Sequence, residues 1–467
     1  MTVGAAVAAG HPATAQAGAE ILADGGSAAD AAVGACLASC VAETVMTGLL
    51  GGGHAIYFDA AAGTVRNLDC FVAVPGLGAD PRNAELLHLE VPFGAELVPY
   101  AVGPASCGVP GLPAGLDALW RAHGRLPWRR LVEPALALAE SGVDMPPAHA
   151  SCLAMLAPVM TMNEGADIYA PGGALLEAGD RLNQPGIVRA LELVADEGAG
   201  TVYRGSIAAS LLDLVADRGG LVTRRDLLDY GAQWSEPVEV AHAGQRILTR
   251  AGLSGLPSTL GRLRPLRELG SVERALALLE AIGPGHDANG HTTNTSTVDS
   301  DGNACVLTTS LGLGSGDFLP GLDLHLNSML GEVDLLRGPL EPGGRMASMM
   351  APSLAFDDDG LALAAGSAGG TRLRTALVSV LAAILDEGLE PQPAVDRPRL
   401  HPVEDVVNVE PGVDSAVLSE LERRGRRVRM WPDLHHYFGG VSVVGRRGAA
   451  ADPRRSGAAV TVARTAR

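Results

Sequence analysis

The chain of 467 residues contains no lysine; all 35 of its basic residues are arginine. A P-loop needs a lysine on the terminal phosphates, and a pyridoxal enzyme needs one for its Schiff base. Residue type alone excludes both. The net charge of −18 argues against nucleic acid and against adhesion to an anionic membrane, because both need a basic face. No uncharged apolar run reaches 18 residues, so no membrane span is expected. The opening "MTVGAAVAAGHPATAQAG" lacks the basic residues of a secretory signal. The six cysteines (36, 40, 70, 107, 152, 305) form no CxxC pair, which points to free buried thiols in a reducing compartment. A cytoplasmic protein is expected. No HExxH or similar spacing occurs, and neither a metal nor a cofactor is expected.

What is present is a globular composition, 47% hydrophobic, in a chain long enough for one big domain or two intimate lobes. Residues 13 to 42 read as two helices broken at Gly25-Gly26, with Ser27 placed to cap the second. "GLLGGGHAIYFDAAAGTVRNLDCFVAVP" alternates around a turn, as a hairpin of buried strands does. From about 111 to 235 the apolar spacing is helical. The stretch 244 to 290 offers one helix, "SVERALALLEAIG". After 292 short β-runs predominate, interrupted by one strong helix, "TRLRTALVSVLAAILDEG". Asp357, Asp358 and Asp359 precede Gly360 in a solvated turn, and His435-His436 read as surface or packing residues of a loop.

Chemistry enters at "GHTTNTSTVDSDGNACVLTTS", residues 290 to 310. Asp301-Gly302 marks a turn; a five-residue loop over 299 to 303 pairs Val298 with Ala304. Counting outward places Thr292 opposite Ser310, within hydroxyl range. A threonine hydroxyl needs a base, and an N-terminal threonine carries one: its own α-amine, of pKa about 8 in model peptides. That requires a cut before the threonine, and the Gly-rich tract "IGPGHDANGH" that ends at His291 is a place for one. The alternative is an ordinary surface hairpin. A second cluster, "GSAGGTR" (366 to 372), puts Gly369 and Gly370 at a helix start. Backbone N–H groups there suit an oxyanion, or equally a plain turn.

Taken together these stretches resemble the γ-glutamyltranspeptidase family of N-terminal nucleophile hydrolases. "GGSAADAAVGA" (25 to 35), "GGGHAIYFD" (51 to 59), "VPGLPAG" (109 to 115) and "LVEPALALAESG" (131 to 142) are similar to motifs of its first chain. "TTNTSTVDSDGNA", "LNSMLGE", "ASMMAPS" and "GSAGGTR" are similar, in order, to those of its second. The resemblance implies an α+β fold, a four-layer αββα sandwich, and a precursor that cuts itself at His291–Thr292. Chains 1–291 and 292–467 would form one intertwined domain. It implies Thr292 as nucleophile and α-amino base, Ser310 beside it, Gly369 and Gly370 as oxyanion glycines, and acyl transfer to water or an amine. The implied partners are a small-molecule substrate and the two chains of one precursor, with a homodimer of these as a candidate assembly.

The departures lie where the family grips a γ-glutamyl group. Its arginine for the substrate carboxylate falls on Phe71, and no phenylalanine replaces a charge-assisted bidentate contact. The family's paired serines fall on Ala347 and Ser348, its asparagine on Gly312, its glutamine on Ser328 and its aspartate on Gly331, with Glu332 or Asp334 as replacements. The segment between 331 and 347 is short, which implies a reduced lid. One lost charged contact costs roughly 1.5–3 kcal/mol. The expected activity is therefore a self-processing acyl hydrolase or transferase on a non-standard substrate, such as a natural-product intermediate. Amide or C–C bond hydrolysis would both fit, as in homologues of actinobacterial alkylproline pathways. The alternatives are an ordinary γ-glutamyl transferase or glutathione hydrolase, and a self-cleaving but idle scaffold.

Overall fold

A computed structural model describes residues 4–79, 84–93, 96–284 and 291–463. Two antiparallel sheets face each other. The first runs, in spatial order, through Ala458–Thr461, Ala6–Ala9, His291–Val298, Ala304–Gly312, Gly52–Asp59, Thr64–Cys70 and Gln233–Ser235. The second runs through Gly448–Ala451, Gly440–Gly445, Gly360–Ala368, Ser353–Asp357, Gln245–Thr249 and Val238–His242. Strands from before and after Thr292 are mixed within the first sheet and adjoin in the second.

Three cores follow from this layering. Between the sheets lie Ala6, Ala8, Ile56, Val298, Val306, Leu354, Ala364 and Val444, mostly small or β-branched side chains that fit facing pleats. Outside the first sheet, helices Pro12–Ala23, Ala28–Ala42, Leu112–His123 and Trp128–Ser141 pack over Leu68, Cys305 and Leu307. Outside the second, helices Leu256–Arg262, Ser271–Ile282 and Arg372–Leu385 pack over Ile247, Leu363 and Val443. The result is the four-layer αββα sandwich.

Helix Ala28–Ala42 shows how local sequence produces this. Ser27 and Asp30 form a reciprocal capping box at its start. Alanine, glycine and cysteine dominate the rest, and every residue is buried, as expected of a helix with no polar face. Ala28 N–H donates to Asp299 of the 299–303 loop at 3.0 Å, tying the helix to the hairpin that carries Thr292.

The hairpin strand His291–Val298 is buried throughout although it is rich in hydroxyls. Those hydroxyls are spent on both neighbouring layers. Thr297 donates to the Ala28 carbonyl at 2.7 Å and Ser296 to that of Ser442 at 2.9 Å; within the sheet, Asn294 Oδ1 accepts from Thr308 of the paired strand at 2.6 Å. Buried polar groups satisfied in this way pin the strand in place.

Several segments differ from the sequence reading. The 244–290 stretch holds a strand, Gln245–Thr249, and a second helix, Leu256–Arg262, beside the expected one at Ser271–Ile282. After residue 292, helices Pro391–Asp396 and Ser415–Arg423 join Arg372–Leu385, so that helix is not alone. Both added helices are short, below the length at which apolar periodicity is readable. All six cysteines are buried and free. Residues 285–290, within the tract proposed for the cut, lie outside the described residues.

Candidate active site

The 299–303 loop sets the register as its residues dictate: Val298 pairs with Ala304 and Thr293 with Thr309. There the simple count ends. His291 pairs with Gly312, so strand Ala304–Gly312 carries one extra residue, and Ser310 and Leu311 together stand against Thr292. The expectation of Thr292 directly opposite Ser310 is corrected accordingly. A bulge places two residues against one and re-aims a side chain.

Ser310 nevertheless reaches the critical bond. Its hydroxyl donates to the carbonyl of His291, the carbonyl of the His291–Thr292 peptide. The same oxygen accepts the Gly312 N–H at 3.0 Å. A relay therefore runs from a backbone N–H through Ser310 onto that carbonyl. Gly312 has φ of 71°, and a Cβ there would meet Ser328 Oγ at 2.8 Å and the Tyr100 hydroxyl at 2.9 Å.

Phe71, Thr292, Ser310, Glu332, Ser348 and Gly370 line one small cavity. They come from a strand end, the two hairpin strands, two irregular segments and a helix start. The sequence reading missed the rest of the wall: Met329, Leu335, Met349, Met350 and Leu373. Only "ASMMAPS", quoted for its family likeness, signalled any of these. Among the described residues no arginine lines the cavity, and Glu332 is its one ionisable side chain. Burial holds the Glu332 carboxyl well above its ordinary pKa, with Asp334 adding to the effect and Arg372 opposing it.

Phe71 is held firmly. It stacks on His54 with ring centroids 5.6 Å apart, and its N–H donates to Asp69 at 2.9 Å. Its carbonyl accepts from Arg345 at 2.8 Å and from the Tyr230 hydroxyl at 2.6 Å. Arg345 thus spends hydrogen bonds on backbone carbonyls and approaches Asp69 at 3.5 Å. The short segment after Gly331 still covers the site, with Leu335 and Met346 in the cluster around Phe71.

Several expected residues stand apart from the cavity wall. Ser328 is fully buried behind it, its oxygen taken by Leu313 N–H and the Tyr100 hydroxyl, both at 3.1 Å. Gly312 supports Ser310, and Ala347 is half-buried beside Ser348 without lining the cavity. Gly369 lies next to the wall glycine Gly370. Its φ of 123° and a Cβ approach of 2.9 Å to Gly439 admit only glycine. His436 is buried, 6.4 Å between ring centroids from His291, so it packs inward while His435 stays half-buried.

Residues 14–269 and 269–462 match the gamma-glutamyltranspeptidase family. The glutathione hydrolase proenzyme of Bacillus subtilis (strain 168) is 25% identical, over 98% of this chain and 91% of its own. The acylase ACY 1 proenzyme of Pseudomonas sp. (strain SE83) is 27% identical, over 93% and 88%. The cephalosporin acylase of Bacillus halodurans superposes with a TM-score of 0.83 at 24% identity, covering 98% of this chain and 96% of its own; that likeness shows the fold. A family match extending to both sides of Thr292 decides the membership: the chain belongs to the gamma-glutamyltranspeptidase family, as an enzyme of the N-terminal nucleophile hydrolase class.

Proposed function

We propose that this enzyme cuts its own His291–Thr292 bond and then uses Thr292 to transfer an uncharged, largely apolar acyl group to water or an amine. The observation that carries this reading is the cavity wall at Thr292, where Phe71, Met329, Leu335, Met349 and Met350 stand and, among the described residues, no arginine does. A γ-glutamyl α-carboxylate would be desolvated there without a cationic partner, which is unfavourable. An apolar acyl chain gains from the same burial.

In the mature enzyme the Thr292 α-amine takes the hydroxyl proton as Oγ attacks the substrate carbonyl. Backbone N–H groups at Gly369 and Gly370 are assigned to the developing oxyanion. The α-amine then protonates the leaving group, and water or an amine releases the acyl ester. Amides fit this sequence. A ketone beside a second carbonyl fits as well, with a carbon leaving group. The acylase ACY 1 proenzymes of Pseudomonas favour the amide as the first substrate to try.

Intact mass of the wild type beside Thr292→Ala tests the cut. The wild type should yield fragments 1–291 and 292–467, and the variant should stay whole. A wild type that remains full length sinks the mechanism. For the substrate, anilides of unbranched fatty acids should turn over faster than a γ-glutamyl anilide. The reverse order would return the enzyme to glutathione hydrolysis.

A further inference from the structure

Glu332 has no task in the reaction described above. It stands in the wall of the cavity at Thr292, between the short helical turns Met329–Gly331 and Val333–Leu335, and is 5% exposed. Among the described residues its carboxyl has no hydrogen-bond or ion-pair partner. The other polar side chains of the wall are engaged. Ser310 gives its proton to the His291 carbonyl and accepts the Gly312 N–H, and Ser348 accepts the Met350 N–H at 3.2 Å. Thr292 is the reacting group. A buried polar group left unpaired is costly, so Glu332 calls for a partner that the protein itself does not supply.

The surroundings decide what that partner is. Phe71, Met329, Leu335, Met349 and Met350 share the wall with Glu332, and side chains of this kind solvate a charge poorly. Burial raises the carboxyl above its ordinary pKa, Asp334 adds to that, and Arg372 at the start of helix Arg372–Leu385 opposes it. Tyr100, on strand Glu96–Val102, is the titratable neighbour on that side, and burial keeps its hydroxyl protonated. In the cut enzyme the Thr292 α-amine joins these groups. A carboxyl so placed is a neutral acid, with one O–H to donate.

We propose that Glu332 reads the acyl group of the substrate: its acid O–H donates to a neutral oxygen, a ketone carbonyl or an ether, on an otherwise aliphatic acyl chain. This rests on the reading of Thr292 as nucleophile, and it narrows the apolar acyl group of that reading to an oxo- or oxa-acyl group. The oxygen lies beyond the scissile carbonyl, whose own oxygen is assigned to Gly369 and Gly370. A substrate ammonium is the poorer fit. It would require the ionised carboxylate and bring two charges into an apolar wall, at a desolvation cost.

Turnover of matched anilides by the wild-type enzyme at pH 6 tests the proposal, with hexanoyl anilide set beside its 4-oxo, 5-oxo, 4-amino and 5-amino derivatives. The better oxo anilide should exceed hexanoyl anilide by about 10-fold in kcat/KM. The amino anilides should fall below both. The oxo advantage should shrink as pH rises, because an ionised carboxylate has no proton to donate. Glu332→Gln, whose amide still donates, should keep the advantage and hold it level with pH. Glu332→Leu should lose it, with circular dichroism establishing that each variant is folded.

An oxo anilide no better than hexanoyl anilide overturns the proposal, and so does an advantage that survives Glu332→Leu. Amino anilides that outrun the oxo ones overturn it in favour of an ionised Glu332. Should Glu332→Leu not fold, a pH-dependent advantage that persists in Glu332→Gln overturns it equally. Intact mass keeps the two readings apart, because a wild type that stays uncut defeats the Thr292 assignment instead. NMR titration with 4-oxo- and 5-oxohexanamide against hexanamide then decides Glu332 by itself, equal affinities overturning the proposal.

Discussion

Ser310 has a single proton to give, and in the uncut chain it gives it to the His291 carbonyl. Its role is therefore set before the nucleophile is free. Ser310→Ala removes one donor aimed at a developing oxyanion, worth about 10²–10³ in rate when such donors are lost. Appearance of fragment 1–291 should slow by that order, and Ser310→Thr, which keeps the hydroxyl, should restore it. Glu332 supports a second prediction at this scale. Its folded-state pKa lies above the ordinary carboxylate value, so its contribution to stability is complete at low pH and is lost as pH rises through the folded value. Glu332→Gln removes that loss. Urea midpoints of variant and wild type should therefore diverge in the variant's favour between pH 5 and pH 8, and parallel curves would show that Glu332 is not buried as described.

Among the elements, legibility followed the range of the interaction. The Ser27 cap, the hairpin over 52–70 and the Val298–Ala304 register depend on residues close in sequence, and all three stand as read. The bulge at Ser310–Leu311 could not be located from the sequence, because it depends on His291 pairing with Gly312, which packs against Ser328 and Tyr100. The apolar wall was equally hidden. Phe71 was noticed as a departure, but Met329, Leu335 and Met350 meet it only across the fold. Another long-range assembly joins helix Pro391–Asp396, strand Val406–Val409 and the 452–455 turn. There Glu410, fully buried, bridges Arg454, which also bonds Asp452 and the Val395 carbonyl. Removing one partner strands a buried charge, a loss of about 3–5 kcal/mol. Glu410→Ala should show that loss by chemical denaturation, whereas Glu420→Ala, whose partners Arg423 and Arg424 stand in solvent, should leave the unfolding midpoint close to that of the wild type.

For the whole molecule, the sharing of both sheets by strands from before and after Thr292 has a direct consequence. Strand His291–Val298 lies between Ala6–Ala9 and Ala304–Gly312, and Gln245–Thr249 pairs with Ser353–Asp357. A cut at Thr292 therefore severs the chain without separating any pair of strands. The two fragments should co-elute at the mass of the intact protein and part only in denaturant, in one transition. Fragments that resolve under native conditions would contradict this interleaving.

Phe71, Met329, Leu335, Met349 and Met350 sit at strand ends and in irregular segments, while Thr292 and Ser310 belong to the central hairpin. Recognition and reaction are thus built from different parts of the chain. A lineage can exchange one set of loop side chains for another and change its diet without disturbing the blade. Within such a family, descent foretells the bond-breaking step far better than it foretells the molecule being broken.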